Sequence, residues 1–317
     1  MNSVDPELAA MLPHLPQADV SDPLAARQRI RDVFATPRGA RPPSWTERVS
    51  IEHASIPAAD GYLIPARVYR PIVGATPRGA MVHFHGGAFI AGDLDISEGL
   101  AGRIADTTNL LVVDVDYRLA PEHPFPVGFE DCYTALEWTV TSAADLEIDV
   151  TRLAVGGESA GGALAASVAI AARDRNGPAI AYQQLLYPVI DDSLVTRSVQ
   201  ELVDAPMWDA PSSRLMWEHY LGPVESRGIV SPYAAPARAA ESPRGLSDLP
   251  SAYILACELD PLRDEDIAYA VALMAAGVQV ELHVVPGTFH GFDGLPSHIG
   301  KRTTAEYCDA LRRAVGG

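Results

Sequence analysis

Short apolar segments recur along most of the chain, and each is followed by a longer segment in which apolar residues have helical spacing. The apolar segments are residues 80–84, 110–115, 153–155, 183–189, 252–257 and 278–285. Strands that are apolar on both faces and alternate with helices are typical of a parallel sheet covered by helices on both sides. The pattern therefore predicts an α/β fold.

Residues 48–71 have a different pattern, in which two alternating segments flank the turn Ala59-Asp60-Gly61. This is the signature of an antiparallel hairpin. Together with the apolar segments it predicts a mostly parallel, eight-stranded sheet flanked by helices. Helices are expected at 97–107, 264–276 and 303–315. Another follows the turn at 117–126 and runs through Tyr133 and Trp138, and a further helix begins directly after Ser159.

Two segments fall outside this alternation. Residues 1–47 contain several prolines and one predicted helix over 22–35, with an apolar face made of Leu24, Ile30, Val33 and Phe34. Residues 191–227 mix aromatic and polar residues in a way that favours one or two amphipathic helices outside the sheet. We therefore expect residues 1–47 to lie over the main domain, 48–317, and the insertion at about 191–227 to form a lid.

The segment 152–173 contains the strongest candidate for catalytic chemistry. A short apolar strand runs into Gly157-Glu158-Ser159-Ala160-Gly161 and continues as an alanine-rich helix. This G-x-S-x-G pattern between a strand and a helix is typical of a nucleophile elbow, in which a sharp turn exposes the serine hydroxyl at the start of the helix. Ser159 is therefore the predicted nucleophile.

A serine nucleophile needs a base, and in this kind of sheet the base follows the serine in the chain. Only His283, His290 and His298 lie after both Ser159 and a carboxylate that follows a strand. His283 lies inside a predicted strand and is expected to point into packing, whereas His298 is expected in a loop before the final helix. His290, in the loop directly after that strand, is the predicted base.

The base needs a carboxylate to orient it, and Asp260 follows the strand 252–257 by a short loop. Two other acids lie close by. Asp264 suits a position at the start of the next helix, and Glu258 suits a supporting or solvent-exposed position. Asp260 is therefore the predicted acid.

Backbone N–H groups that stabilise a tetrahedral oxyanion are expected from Ala160 and from the loop 85–88, His-Gly-Gly-Ala. His83 and His85 could instead begin a metal site, but the sequence offers no third ligand near them. We interpret His85 as a side chain that braces the loop by hydrogen bonding, and we predict no metal site.

Composition narrows the kinds of partner. The net charge of −17 and the pI of about 4.8 disfavour binding to nucleic acids and to anionic membranes.

The three cysteines, Cys132, Cys257 and Cys308, lack metal or redox spacing and are expected to be buried thiols in a reducing compartment. The N-terminal residues lack a basic signal region, and the longest apolar stretch, 160–172, is too short to cross a bilayer. We therefore expect a cytoplasmic protein without stable membrane insertion.

Five motifs considered together resemble the hormone-sensitive-lipase-like carboxylesterases of bacteria (family IV), which have the α/β-hydrolase fold. They are HGGA-F at 85–89, DYRLAPEHPFP at 116–126, GESAGG at 157–162, DPLRDE at 260–265 and HGF at 290–292. The resemblance covers nearly everything from residue 48 to the C-terminus. It implies Ser159 as nucleophile, Asp260 as acid and His290 as base, and a cap built from an N-terminal segment plus an insertion.

The resemblance also implies which amides form the oxyanion hole. Gly87, Ala88 and Ala160 match the positions that supply N–H groups, and Gly86 belongs to the same loop. The chain departs from the family twice, because Ala88 replaces the usual third glycine and Glu158 replaces the usual aspartate. Neither change removes a catalytic group.

The expected function is that of a serine carboxylesterase acting on short- to medium-chain acyl esters through an acyl-enzyme, without a metal or organic cofactor. A related hydrolase acting on amides, lactones or acetylated small molecules is the first alternative. The second is a non-catalytic ligand-binding relative, which the presence of His290 disfavours. The expected partner is a small-molecule ester, and the family also pairs through edge strands or the last helix, so a homodimer is a further expectation.

Overall fold

The structure is a computed structural model that describes residues 3–15, 19–34, 43–223 and 228–316. Eight strands form one sheet in the order β1-β2-β4-β3-β5-β6-β7-β8. The strands are β1 Val49–Pro57, β2 Leu63–Pro71, β3 Arg78–Phe84, β4 Leu111–Val115, β5 Ile148–Glu158, β6 Tyr182–Leu186, β7 Ser251–Cys257 and β8 Val280–Val285. Only β2 runs against its neighbours, so the predicted mostly parallel, eight-stranded sheet is confirmed.

Helices connect and cover these strands. In the described residues the α-helices are α1 Pro6–Ala9, α2 Pro23–Phe34, α3 Leu94–Thr108, α4 Val127–Thr141, α5 Ala143–Leu146, α6 Ala160–Asp174, α7 Arg197–Glu201, α8 Ala210–Leu221, α9 Arg263–Ala275 and α10 His298–Val315. Short 3₁₀ helices lie at Leu12–His14, Ser44–Glu47, Pro236–Glu241 and Phe292–Gly294. None of the helices in these described ranges has both the length and the apolar character needed to span a membrane.

The sheet separates two apolar cores. Helices α4, α6 and α9 cover one face, where they pack on side chains such as Val82, Val113 and Val155. Helices α3 and α10 cover the other face, where Met81 and Val112 are buried. Because both faces of these strands are buried, their sequences are continuous apolar runs, and this pattern is what predicts them. The three cysteines are buried free thiols, as predicted.

Strand order places the ends of β3 and β5 side by side. The chain moves outward from β3 to β4 and then returns to β5 on the other side of β3. Such a switch point opens a crevice at the carboxyl ends of the strands. Phe84 and Gly157 are partners in the ladder, so the loop after β3 lies next to the turn after β5.

Several predicted boundaries are wrong for local reasons. Helix α3 begins three residues early because the Asp93 side chain accepts hydrogen bonds from the Asp95 and Ile96 amides. Helix α10 begins at His298 because the Ser297 hydroxyl accepts from the Gly300 amide, so the prediction of a loop at His298 is wrong. Strand β6 ends at Leu186 instead of continuing to residue 189.

The N-terminal helix is present, but its buried face differs from the predicted one. Leu24 is 67% exposed, whereas Ala26 is buried and Ile30 packs against the core. The side chains of Val33 and Phe34, and residue 35, lie outside the described residues. In the insertion, where one or two helices are predicted, the described residues form α7 and α8, and residues 224–227 are not described.

Candidate active site

The turn between β5 and α6 places Ser159 in a strained conformation. Its φ of 57° and ψ of −120° are rare for a residue with a side chain. The Ser159 amide donates to the Leu186 carbonyl at 2.9 Å, and its carbonyl accepts from the Ala163 amide at 3.1 Å. Both ends of the residue are thereby fixed, and the hydroxyl stands at the N-terminus of α6.

Ser159, His290 and Asp260 lie in one hydrogen-bonded line. The Nε2 atom of His290 is 2.9 Å from the Ser159 hydroxyl oxygen, and its Nδ1 atom is 2.7 Å from the Asp260 carboxylate. Asp260 is fully buried, and its other oxygen accepts from the Leu262 amide at 3.0 Å. The three residues follow β5, β8 and β7 respectively, so the structure brings together the side chains that chain order selected.

The two competing acids occupy supporting positions. Asp264 lies in the first turn of α9, where its carboxylate accepts from the Ser198 amide at 2.8 Å. Glu258 accepts from the Gly287 amide at 2.7 Å and so holds the start of the loop that carries His290. Both positions agree with the sequence-based interpretation.

The two competing histidines lie elsewhere. His283 was expected to point into packing, which is wrong, because β8 is an edge strand and the His283 side chain is 35% exposed. Its ring stacks on Tyr253 with centroids 5.1 Å apart and lies 3.0 Å from a Glu281 oxygen. His298, at the start of α10, is 92% exposed.

The loop after β3, residues 85–89, bends sharply beside Ser159, and we call it the β3 loop. Its residues Gly87, Ala88 and Phe89 all have positive φ, of 128°, 57° and 60°. The His85 ring lies 2.8 Å from the Gly86 carbonyl oxygen through Nδ1, as expected for a loop-bracing residue. Tyr117 stacks on His85 at 4.4 Å and donates its hydroxyl to the His85 carbonyl.

The Gly86 amide has a specific partner in Glu158. It donates to one Glu158 carboxylate oxygen at 2.8 Å. The sequence places Gly86 in the oxyanion hole as part of this loop. In the structure, however, its N–H donates to the Glu158 side chain. The Gly87 and Ala88 amides follow in the same loop, and the Ala160 amide lies at the start of α6.

His83 lies between two carboxylates. Its Nδ1 is 2.8 Å from Asp114 and its Nε2 is 3.0 Å from Glu158. Burial alone would lower the pKa of His83, but the negative charge of Glu158 and the hydrogen bonds to both carboxylates outweigh it and raise the pKa to about 10. The sequence reading of His83 as half of a possible metal pair missed this arrangement.

Aromatic side chains cover the site. The Tyr187 ring meets the His290 ring edge-on at 4.8 Å, and Trp208 lies 5.9 Å from His290. Phe89 of the β3 loop stacks on Tyr220 of α8 at 3.9 Å. Met216 and Trp217 of α8 are buried in the core.

Tyr187 is a site residue that the sequence analysis missed. The apolar pattern assigned it to a strand, but its φ is 37° and it leaves the sheet just after β6. Its hydroxyl donates to Asp293 at 2.7 Å, and Tyr307 donates to the other Asp293 oxygen at 3.2 Å. Burial raises the pKa of Asp293. No residue pattern marks a turn at this position, apart from Pro188 after it.

Comparison with known proteins gives consistent matches. Residues 81–294 match the model of the α/β-hydrolase fold family. The chain is 37% identical to esterase LipI of Mycobacterium tuberculosis, over 96% of this chain and 92% of that protein. It is also 37% identical to carboxylesterase NlhH of the same species, over 98% of this chain and 96% of that protein.

A solved structure extends the comparison to three dimensions. The structure of a bacterial heroin esterase has 40% sequence identity to the chain and a TM-score of 0.93, and the match covers 99% of each chain. Together with the motifs and the sheet topology, these matches confirm the resemblance to hormone-sensitive-lipase-like esterases. The chain belongs to the α/β-hydrolase fold family.

Proposed function

We propose that the protein is a serine carboxylesterase that hydrolyses short- to medium-chain acyl esters through an acyl-enzyme intermediate. One observation carries this proposal, the hydrogen-bonded line from the Ser159 hydroxyl through both nitrogens of His290 to the buried carboxylate of Asp260. A serine hydroxyl, an imidazole and a carboxylate linked in this order form the catalytic triad of many acyl-transfer enzymes. The esterase names of the relatives support the same activity.

In the proposed reaction, Ser159 Oγ attacks the ester carbonyl carbon while its proton passes to His290 Nε2. Asp260 keeps the His290 ring oriented and stabilises the imidazolium that forms. The tetrahedral intermediate then expels the alcohol, which takes the proton from His290. In the second half, water attacks the acyl-serine and loses a proton to His290, which returns it to Ser159 Oγ as the carboxylic acid leaves.

The negative oxygen of each intermediate requires donors that are already in place. We assign this role to the amides of Gly87, Ala88 and Ala160, with Gly86 as the loop residue held by Glu158. Ala160 is the first residue of α6, so the positive end of the helix dipole adds to the stabilisation. This chemistry uses neither a metal nor an organic cofactor.

We assign the cap to residues 1–47 together with the insertion at about 191–227. Contacts between the two segments support the assignment, because His219 Nε2 of α8 lies 2.8 Å from the Val20 carbonyl oxygen. The α8 residue Tyr220 stacks on Phe89 and accepts, through its carbonyl, from the Phe125 amide. The cap therefore rests directly on the β3 loop.

Relatives also suggest the acyl chain to try first. A protein named ethyl acetate hydrolase from Pseudomonas putida is 35% identical over 258 residues and 78% of this chain. Bulky aromatic rings flank the site, since Trp208 lies 5.9 Å from His290 and Phe89 stacks on Tyr220. We therefore propose acetyl and other short acyl esters as the preferred substrates.

Hydrolysis of p-nitrophenyl acetate, butyrate and octanoate tests the proposal. We expect turnover of the short esters by the wild-type protein and a fall of about 10⁴-fold or more in kcat for Ser159→Ala. Ser167→Ala is the matched control, since Ser167 is a buried serine further along α6 and its loss should leave kcat unchanged. Equal rates for the two variants, or no turnover by the folded wild-type protein, would contradict the proposal.

A cytoplasmic location and a homodimer complete the proposal. The three free, buried thiols support a reducing compartment. Strand β8 ends the sheet, and Val284 on it is 40% exposed, which suits pairing with a second copy along this edge.

A further inference from the structure

A chain of buried polar side chains lies beneath the β3 loop, on the α3 side of the sheet. In the parallel ladder, His83 of β3 is the partner of Asp114 on β4 and of Gly156 on β5. Glu158 lies two residues beyond Gly156 and so is directed to the same face as His83. The Ser97 hydroxyl of α3 donates to the Asp114 oxygen that His83 does not contact.

The hydrogen-bond geometry fits a His83 ring that donates from both nitrogens, with Asp114 and Glu158 ionised. Both of its partners are carboxylate oxygens, which accept only, and a neutral imidazole can donate from just one nitrogen. An imidazolium satisfies both contacts and places one positive charge between two negative charges. His83 is 1% exposed and Asp114 is fully buried, so solvent screens these interactions weakly.

Glu158 connects this charged group to the β3 loop. One of its oxygens faces His83, and the other accepts the Gly86 N–H. Gly86 also packs closely on this segment, since a Cβ at Gly86 would lie 3.1 Å from the Glu158 carbonyl oxygen and 3.5 Å from the Ser159 Cβ. Two contacts therefore set how closely the loop approaches Ser159. They are the hydrogen bond from Gly86 to the Glu158 carboxylate and the close packing of the Gly86 backbone on residues 158 and 159.

We propose that Glu158 and His83 are positioning residues that set the distance between the β3 loop and Ser159, and thereby align the Gly87 and Ala88 amides with the Ala160 amide. His83, held by Asp114, fixes the Glu158 carboxylate, and that carboxylate fixes Gly86. Neither side chain touches the substrate. This inference rests on the proposed function, because it assumes that those three amides bind the oxyanion.

The first test compares Glu158→Gln with the wild-type protein. The glutamine side chain keeps an acceptor for Gly86 but gives His83 a neutral partner, so the loop should shift rather than detach. We expect kcat to fall by about 10- to 100-fold with KM changed by less than about 3-fold, a smaller loss than the 10²–10³ that follows outright removal of one oxyanion donor. Rates are divided by active sites counted with a fluorophosphonate.

A second variant keeps the charge but shortens the reach. Glu158→Asp restores the residue usual in the family, but in this chain a side chain one methylene shorter cannot contact both Gly86 and His83 at their present distances. We expect an intermediate loss of kcat. Because the charge is retained, this variant should remain folded even if Glu158→Gln does not.

Binding of a trifluoromethyl ketone, which forms a tetrahedral oxyanion with the serine, separates positioning from general stability. Across the variants its Ki should rise in proportion to KM/kcat, as expected for groups that act on the transition state. Leu136→Ala, in the core on α4, lowers stability without changing Glu158, His83 or Gly86 and should leave Ki unchanged. Unchanged Ki values for both Glu158 variants would overturn the inference.

Nitrogen-15 chemical shifts of the histidine rings test the charged bridge directly. We expect the His83 signals of the wild-type protein to be those of an imidazolium at pH 8, and a neutral His83 ring would overturn the inference. Ser159→Ala distinguishes this failure from a failure of the proposed function. If Ser159→Ala is inactive and the Glu158 variants are fully active, only the positioning role is lost.

Discussion

Ser159 keeps its strained backbone because the residues two positions before and after it have no side chain. A Cβ at Gly157 or at Gly161 would lie closer than 3.0 Å to the Phe84 carbonyl oxygen at the end of β3. Atoms cannot approach so closely without a shift of the backbone. The two glycines thus let β3 and the nucleophile turn lie side by side.

Gly161→Ala should therefore destabilise the protein and displace Ser159. We expect the free energy of unfolding in urea to fall by about 1–3 kcal/mol or more, since the clash is with backbone. Gly99→Ala is the matched control, because Gly99 is exposed on α3 and a Cβ there meets no atom within 4 Å. That change should instead raise the unfolding free energy by about 1 kcal/mol. Equal effects in the two variants would contradict this account.

Residue identities and chain order were enough to predict which three side chains meet. Ser159, Asp260 and His290 each follow a strand, and parallel strands bring their carboxyl ends to one edge. The role of Glu158 could not be predicted in the same way, since it depends on the register of β3 against β5. Tyr187 was missed because its positive φ has no signature in the side-chain pattern.

Among the elements, α2 has a specific connection to the site through Arg27. The Arg27 guanidinium donates to the Ile90 carbonyl at 2.7 Å and to the Ala120 carbonyl at 3.0 Å, and it pairs with Glu122. Ile90 directly follows the β3 loop. Helix α2 is therefore hydrogen-bonded to the residue that follows the β3 loop, which carries two of the proposed oxyanion donors.

Replacing Arg27 with glutamine should loosen this helix. A hydrogen bond from a charged donor contributes about 1.5–3 kcal/mol at most, so we expect a net loss of about 1–2 kcal/mol in the local stability of α2. Thermolysin should then cleave the N-terminal segment about 5–30-fold faster. The readout is the cleavage rate of the folded protein, followed by mass spectrometry.

Arg29→Gln is the control for this experiment. In the described part of the chain, Arg29 pairs with Asp19 of its own segment, so cleavage should change by less than about 2-fold. If both variants were cleaved at the same rate, the contact of Arg27 with residues 90 and 120 would not hold the helix in place.

Element boundaries were predictable where the apolar pattern set them and unpredictable where a single hydrogen bond did. The hairpin of β1 and β2 and the interior strands followed from alternation and apolar runs. The starts of α3 and α10 depend instead on the capping side chains Asp93 and Ser297. The face of α2 that is buried depends on the cap contacts, which no periodicity encodes.

At the scale of the whole molecule, several carboxyl groups lie in the interior, away from water. The chain has 41 acidic and 24 basic residues, and Asp260, Glu265 and Asp266 are buried together near the start of α9. From the sequence, Asp266 looks like an ordinary acid in the first turn of a helix. Only the packing of α9 against the sheet reveals that it is removed from water.

Glu265 and Asp266 differ in how they are satisfied. One Glu265 oxygen accepts from the Ile190 and Asp191 amides, at 2.8 and 3.2 Å. Both Asp266 oxygens lack a hydrogen-bond partner within the described ranges. Burial raises the pKa of Asp266 well above its ordinary value, and the neighbouring Glu265 raises it further. Asp266 is therefore expected to be protonated in the folded protein.

This proton makes stability depend on pH in a defined direction. In the unfolded chain Asp266 ionises near its usual pKa of about 3.9, so above that pH the folded state binds more protons than the unfolded state. The unfolding free energy contributed by Asp266 must then fall as pH rises. Asp266→Asn binds no proton in either state, so its stability should fall less steeply, by up to about 1.4 kcal/mol per pH unit between pH 5 and 7.

Urea unfolding at pH 5, 6 and 7 measures this slope, and Asp264→Asn provides the contrast on the same helix. Burial would raise the pKa of Asp264, but hydrogen bonds from Arg263 and the Ser198 amide lower it below its usual value. Asp264 is therefore ionised in both states throughout this range, so its replacement should lower stability equally at each pH and leave the slope unchanged. A slope that is the same for Asp266→Asn and the wild-type protein would mean that Asp266 is ionised in the folded state, and that a positive charge or a water molecule compensates it.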